Sequence, residues 1–259
     1  MRITTYSSND YDSANALDAG TVASAVTQTL TISARIQEIL NFCVGNTSVN
    51  DATTSPGADC SAIGGTTVDL GTLDAASVNT SPVAIGSDGN NKNGIAMLRT
   101  NASSGATVSY KSIQDSGSNH LGALRVPGAS CNVGAVNTDQ CITSAGTTQS
   151  AFVAGTEDFG MSIAGVNCGS TLAYTCTFGT GAYNLQRDTQ YDGVGSNTYG
   201  TSNAQGYAWD ETGTLDQIAS SSGAVDDESL ILVFAATPNA VTPTGSYSTQ
   251  ADFIVVATY

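Results

Sequence analysis

The sequence predicts an all-β fold: an antiparallel β-sandwich or jelly roll with long disulfide-clasped loops and an N-terminal extension. Three observations lead there. Charged residues make up only 11% of the 259, against the ~25% of an average soluble domain; the polar remainder is largely Ser, Thr, Asn and Gly, which favour turns and strand surfaces over helices. Several short segments alternate apolar and polar side chains with period two, as half-buried strands do. Six cysteines fall in three neighbouring pairs, Cys43/Cys60, Cys131/Cys141 and Cys168/Cys176, which reads as a disulfide framework.

Residues 1–20 are polar and weakly patterned, with Ile3, Tyr6, Tyr11 and Leu17 as their larger apolar points. Beyond Thr27, Leu30, Ile32, Ala34 and Ile36 alternate with Thr31, Ser33 and Arg35, which predicts a half-buried strand. A bulge at Gln37–Glu38 would carry it on through Ile39, Leu40 and Phe42 to Cys43. A short helix over 34–40 competes, but the threonines before it favour the strand. Residues 45–65 read as loop, and TTVDLGTLD (66–74) as a strand with Val68 and Leu70 on one face. The turn cluster 87–94 precedes the apolar run IAMLRTNA, and 106–115 alternates again through Val108 and Tyr110.

Residues 115–150 are loop-rich, and 154–166 places Phe159, Met161 and Ile163 on one face. A Tyr- and Gly-rich stretch, 179–207, leads to Trp209. SLILVFAAT (229–237) is a continuous apolar run, as expected of a strand buried on both faces. Turn residues follow, and the chain closes on ADFIVVATY, with Phe253, Val255, Ala257 and Tyr259 on one face and Ile254 and Val256 on the other. No repeat or linker divides the chain, so residues 21–259 read as a single sandwich domain behind the extension 1–20.

Net charge is −15, and the two lysines, Lys92 and Lys111, and five arginines are scattered. Neutralising phosphates needs a basic patch, so no nucleic-acid partner is expected. No C-x-x-C spacing occurs and there is one histidine, which disfavours a zinc or thioredoxin-type centre. Three disulfides imply an oxidising, extracytoplasmic compartment. Six cysteines allow 15 connectivities; neighbour pairing is the expectation, because the intervening segments have loop composition. The opening MRITTYSSNDYDS lacks a signal peptide's apolar core, so the expectation is a mature secreted chain. No run reaches the ~20 apolar residues of a membrane span.

Four segments together, TTVDLGTLD, NASSGATVSY, AGTEDFGMSI and TPTGSYSTQADFIVVATY, resemble bacterial extracellular β-sandwich surface and pilus subunits of the pilin or spore-coat-U-like, donor-strand type. DLGTL (69–73) and the placement of Cys43 after the first strand are similar to that group as well. The resemblance implies a homopolymer, a filament, pilus or surface layer, in which an N-terminal extension completes a neighbour's sheet. Residues 1–20, with Ile3, Tyr6, Tyr11 and Leu17, would then be the donor. The carboxyl-terminal strand, with Phe253, Val255, Ala257 and Tyr259, would line the receiving groove.

The residues carry no catalytic signature, and no enzyme activity is expected. His120 sits in the turn-like GSNHLG, and no G-x-S-x-G elbow accompanies it. Glu157/Asp158, Asp210/Glu211 and Asp226/Asp227/Glu228 are the acidic clusters from which paired-carboxylate chemistry could be built. No cofactor is expected; the oxygen-rich loops at Asp88/Asn90, Asp10/Asp12 and Asp226/Asp227/Glu228 suit calcium, although Lys92 breaks the EF-hand pattern in the first. Sequons occur at Asn46, Asn79 and Asn101, and Lys111 on a strand is a candidate for an isopeptide cross-link. The rival function is a secreted adhesin or carbohydrate-binding module, binding a glycan or cell surface through Trp209, Tyr207, Tyr199 and Tyr191.

Overall fold

The computed structural model describes residues 1–9, 11–26, 28–46, 60, 65–81, 93–113, 122–129, 131, 140–167, 172–173, 177–178, 181–182, 184–193 and 206–259. His120, Tyr199, Asp10, Asp88, Asn90, Lys92, Cys168 and Cys176 lie outside them. The chain divides into two units, Met1–Gln37 and Glu38–Tyr259.

The first unit holds one hairpin, β1 (Arg2–Tyr6) and β2 (Ala16–Thr21), paired antiparallel from Arg2↔Thr21 to Tyr6↔Ala16. Asp12 caps the turn between them by accepting from the Ala14 amide at 3.1 Å, and Tyr6 meets Tyr11 edge-on at 5.6 Å. Every residue of β2 is exposed. Residues 28–39 follow exposed and without regular secondary structure, so the half-buried strand expected over Leu30–Ile36 is not formed in this chain. The alternation is there, and Leu30, Ile32 and Ile36 on its apolar face are exposed.

The second unit is an antiparallel sandwich. In chain order its strands are β3 (Leu40–Gly45), β4 (Asn79–Thr80), β5 (Gly94–Thr100), β6 (Ala106–Ser112), β7 (Leu124–Arg125), β8 (Cys141–Ile142), β9 (Gly146–Ala151), β10 (Asp158–Asn167) and β11 (Leu172–Ala173). Then come β12 (Thr177–Phe178), β13 (Gly181–Ala182), β14 (Leu185–Arg187), β15 (Gly206–Trp209), β16 (Asp216–Ser221), β17 (Val225–Thr237) and β18 (Ala251–Ala257). The larger sheet runs β3-β5-β17-β10-β15-β9, with β4 beside β17 and β11 beside β10; the smaller runs β14-β16-β6-β18. β7/β8 and β12/β13 are short hairpins. Among the described residues there is no α-helix, and no helix is long and apolar enough to cross a membrane.

The core follows the patterning. β17 is the central strand of its sheet and is buried on both faces, as its uninterrupted apolar run requires. Leu230, Leu232 and Ala236 join the main cluster between the sheets, and Ile231, Val233 and Ala235 join a second one with Ile95, Phe152 and Tyr207. β10 contributes Phe159, Met161 and Ile163 from one face to the main cluster, opposite Val108 and Tyr110 of β6. Pro238, which cannot donate to a ladder, follows the last residue of β17. Residues 66–74, which read as a strand, take no strand structure; Gly71 sits at φ 71, with its amide held by Asp69 Oδ1 at 2.8 Å.

Two disulfides are formed with the neighbour pairing expected, Cys43–Cys60 and Cys131–Cys141. The first ties β3 to the segment after it, and the second closes the β7/β8 hairpin. Each restricts a short loop of the unfolded chain, an effect of roughly 2–3 kcal/mol.

Candidate functional site: an open sheet edge and its groove

β18 forms the edge of the smaller sheet. Its ladder to β6 is regular over all seven residues, from Ala251↔Ser112 to Ala257↔Ala106, with no bulge. The inner face of β6 is fully covered: Ala106, Val108, Tyr110 and Ser112 are 0–4% exposed. The equivalent residues of β18, Ala251, Phe253, Val255 and Ala257, pack on the core but stay only half-buried. Its outer face carries Ile254 and Val256, 37% and 61% exposed. Among the described residues no strand pairs with the other side of β18; proteins usually blunt an open edge of this length with Lys, Pro or a bulge. β18 has none of these, and Asp252 is its only charge.

The other sheet edges are treated differently. β9 is GTTQSA, polar and half or fully exposed. β14 is three residues long and carries Arg187, whose guanidinium donates to the Ile163 carbonyl at 2.5 Å. β3 is tied down by the Cys43–Cys60 bond. At one end β3 and β18 lie side by side, where the Tyr259 hydroxyl donates to the Ile39 carbonyl at 2.9 Å. Ser104 and Thr258 bridge the same end, amide to carbonyl, at 3.1 Å.

At the other end of β18 the sandwich opens into a groove of about 1560 Å³. Its floor is aromatic: Phe159 and Phe234 stack at 6.4 Å, and Trp209 meets both edge-on at 5.4 and 5.8 Å. Ala251, Asp252 and Phe253 form one wall, and residues 66–75 another, with Leu70 and Leu73 partly buried against the core. Residues 66–75 are pinned at their ends by asparagines: Asn46 donates to the Thr67 carbonyl at 2.7 Å, and Asn79 donates to the Asp74 carbonyl at 3.1 Å.

Of the aromatic patch expected of a glycan-binding module, the three described members are buried in the core. Trp209, Tyr207 and Tyr191 are 2%, 1% and 0% exposed. Trp209 stacks on Tyr110 at 4.5 Å, and its indole N–H donates to the Gly122 carbonyl at 3.0 Å; a Cβ at Gly122 would lie 2.4 Å from that nitrogen, so glycine is required. Tyr207 packs on Phe152 at 4.8 Å, and burial pushes its hydroxyl up to about 12.

Tyr191 belongs to a polar relay that the sequence did not reveal. The Asp210 amide donates to the Tyr110 hydroxyl at 2.6 Å, the two tyrosine hydroxyls meet at 2.9 Å, and Tyr191 donates onward to Asp216. Gln190 also donates to Asp216, at 2.7 Å. Burial raises both tyrosines and Asp216, and the relay satisfies polar atoms that would otherwise be stranded between the sheets.

The acidic clusters are engaged in local structure. Asp210 accepts from the Thr212 amide at 2.7 Å and from the Thr212 and Thr214 hydroxyls at 2.8 Å, stapling the turn after β15. Glu211 accepts from Ser144 Oγ at 2.9 Å, and Glu157 accepts from Thr242. Glu228 is buried and turned inward to accept from the amides of Leu185 at 2.7 Å and Asn184 at 3.3 Å. Burial pushes its carboxyl up to about 7, and that of Asp158 up to about 6. Asp226 lies 3.8 Å from Arg99 Nε. No group of three or more metal-ligating side chains occurs among the described residues.

Of the residues expected to assemble, Phe253, Val255 and Ala257 line the open edge, and Tyr259 anchors Ile39. Ile3, Tyr6, Tyr11 and Leu17 lie in the amino-terminal hairpin, where Ile3, Tyr11 and Leu17 are 51%, 73% and 71% exposed. Lys111 is exposed and pairs across the ladder with Asp252. Asn101, like the other two sequon asparagines, serves the backbone: its Oδ1 accepts from the Ile39 amide at 2.8 Å.

Comparison with protein-family models, with curated proteins and with solved structures finds no match to this chain.

Proposed function

We propose that this chain is an extracellular structural subunit that polymerises by strand addition, the amino-terminal region of one copy pairing with the free β18 edge of the next. The half-burial of the inner face of β18, beside a neighbour strand whose inner face is fully covered, is the observation that carries this reading. An added strand would pair the unmatched main-chain groups of β18 and cover Phe253 and Val255. Full burial of such side chains is worth roughly 1.5–3 kcal/mol each, and covering the remaining half is worth a corresponding fraction, beside the new ladder.

Two disulfides support an oxidising, extracytoplasmic site of action. The short segments that resemble pilin and spore-coat-U-like subunits support the same mode of assembly. An acidic surface with net charge −15 favours solubility of the free subunit and requires that the joint itself be locally neutral or complementary.

Negative-stain electron microscopy of the concentrated, disulfide-bonded protein tests the reading. Uniform fibres or sheets are expected. Discrete monomers at high concentration, with β18 amides exchanging as an open edge, would overturn it.

A further inference from the structure

The chain offers two amino-terminal candidates for the donor, and they differ sharply in chemistry. In the hairpin the main chain of β1 is already paired to β2 over five residues. Its apolar side chains also do not share a face: Ile3 and Tyr6 are three residues apart and point to opposite sides of a strand. Residues 28–37 are the reverse case. After Gln28, Leu30, Ile32, Ala34 and Ile36 fall on one face and Thr29, Thr31, Ser33, Arg35 and Gln37 on the other. The segment takes no regular secondary structure, and Leu30, Ile32 and Ile36 are 83%, 87% and 86% exposed.

We infer that residues 28–37 of a second copy of this chain are the strand that adds to β18, seated in the groove where Leu70 and Leu73 now lie. This rests on the strand-addition reading above and names its partner. Length fits: at about 3.3 Å per residue the segment spans roughly 30 Å, enough to run the whole of β18 and reach the groove at its Ala251 end. Chemistry fits, because the floor of Phe159, Trp209 and Phe234 takes an apolar face and the opposite face stays in water. Charge fits too. Arg35 is the segment's only charged residue, and the groove walls carry Asp69 and Asp252.

Residues 66–75 act in this arrangement as a placeholder. They cover part of the same floor through Leu70 and Leu73, yet form no strand, so they give none of the main-chain pairing that residues 28–37 would supply. Their pinning by Asn46 and Asn79 lets the middle swing out while both ends stay attached.

The test uses the full chain with Ile32→Asp and, separately, Ile3→Asp; both side chains are largely exposed, so neither change threatens the fold. Ile32→Asp should raise the concentration needed for fibres by at least 100-fold, the order expected for losing one buried isoleucine and burying a charge, while Ile3→Asp should assemble like the parent. A synthetic peptide of residues 28–37 should bind the Ile32→Asp monomer and speed hydrogen exchange of amides 66–75. Fibres from Ile32→Asp but not from Ile3→Asp would transfer the donor role to the hairpin and leave strand addition standing. Peptide binding without faster exchange at 66–75 would overturn the groove as its seat. A parent chain that forms no fibres and binds no peptide would sink the inference and the strand-addition reading together.

Discussion

Two segments of this chain show period two, one in its side chains and one in its burial: residues 29–37 alternate polar and apolar residues, and β18 alternates half-buried and exposed ones. β18 has β6 along one side and the main core under its inner face, and its alternation appears as half-buried Phe253 and Val255 against exposed Ile254 and Val256. Residues 29–37 alternate polar and apolar side chains throughout and are exposed on both faces. The difference teaches that period two records a face in need of cover and carries no information about which chain supplies it. The inner face of β18 is half-covered, and Leu30, Ile32 and Ile36 are exposed.

The sharpest way to break that contrast is to measure what each apolar face contributes to the isolated subunit. Leu230, fully buried in β17, should cost about 2–5 kcal/mol when changed to Ala, through lost transfer energy and the cavity left behind. Ile32→Ala should change the stability of the dilute monomer by less than about 0.5 kcal/mol, as an exposed position does. Urea denaturation below the assembly concentration reads both. A loss above about 1 kcal/mol for Ile32→Ala would mean that residues 28–37 are already docked within their own subunit, and the two segments would no longer differ in kind.

Much of the sandwich was legible because its strands have their partners within the chain. The continuous run of β17, the single apolar face of β10 and the alternations of β6 and β18 all appear as read. The failures share a cause. Residues 30–36 and 66–74 carry strand patterning but pair with no strand among the described residues, and no property of the segments themselves records that lack. The aromatics were misread for another reason. Tyr207 and Trp209 are two apart and should share a face, yet they enter different core clusters. A register shift between them, where β15 pairs with β9, breaks the period, and a bulge of this kind leaves no mark in GYAWD. The relay through Tyr110, Tyr191 and Asp216 joins three distant stretches of sequence, so no local motif announces it.

A second contrast lies in how the sandwich responds to pH. Burial pushes the Glu228 carboxyl from its ordinary 4.5 up to about 7. A carboxyl raised in the folded state binds its proton more tightly than in the unfolded chain, so its contribution to stability is fully present below pH 4.5. That contribution is lost progressively as pH rises through 7. The subunit should therefore lose about 2–3 kcal/mol between pH 4.5 and 7.5 from this group. Glu228→Gln keeps an acceptor for the Leu185 amide and should flatten that slope in thermal unfolding followed across the window. An unchanged slope would show that Glu228 ionises freely, and that the start of β17 is more open to water than its 2% exposure indicates.

The smallest expected effect sits at the junction of the two regimes. Ile39 is held by both main-chain groups: its amide donates to Asn101 Oδ1 at 2.8 Å and its carbonyl accepts from the Tyr259 hydroxyl at 2.9 Å. Immediately before it lies the exposed segment, and immediately after it β3 begins. The side chain of Asn101 thus holds the residue that precedes the first strand of the sandwich. Asn101→Ala removes one acceptor at a solvent-accessible site, so its stability cost should be about 1 kcal/mol, far below that of Leu230→Ala. Its local signature should be larger: hydrogen exchange at the amides of Ile39 and Leu40 should quicken while β17 is unaffected. If protection at Ile39 is unchanged, Tyr259 alone sets the boundary, and the corresponding loss should appear in Tyr259→Phe.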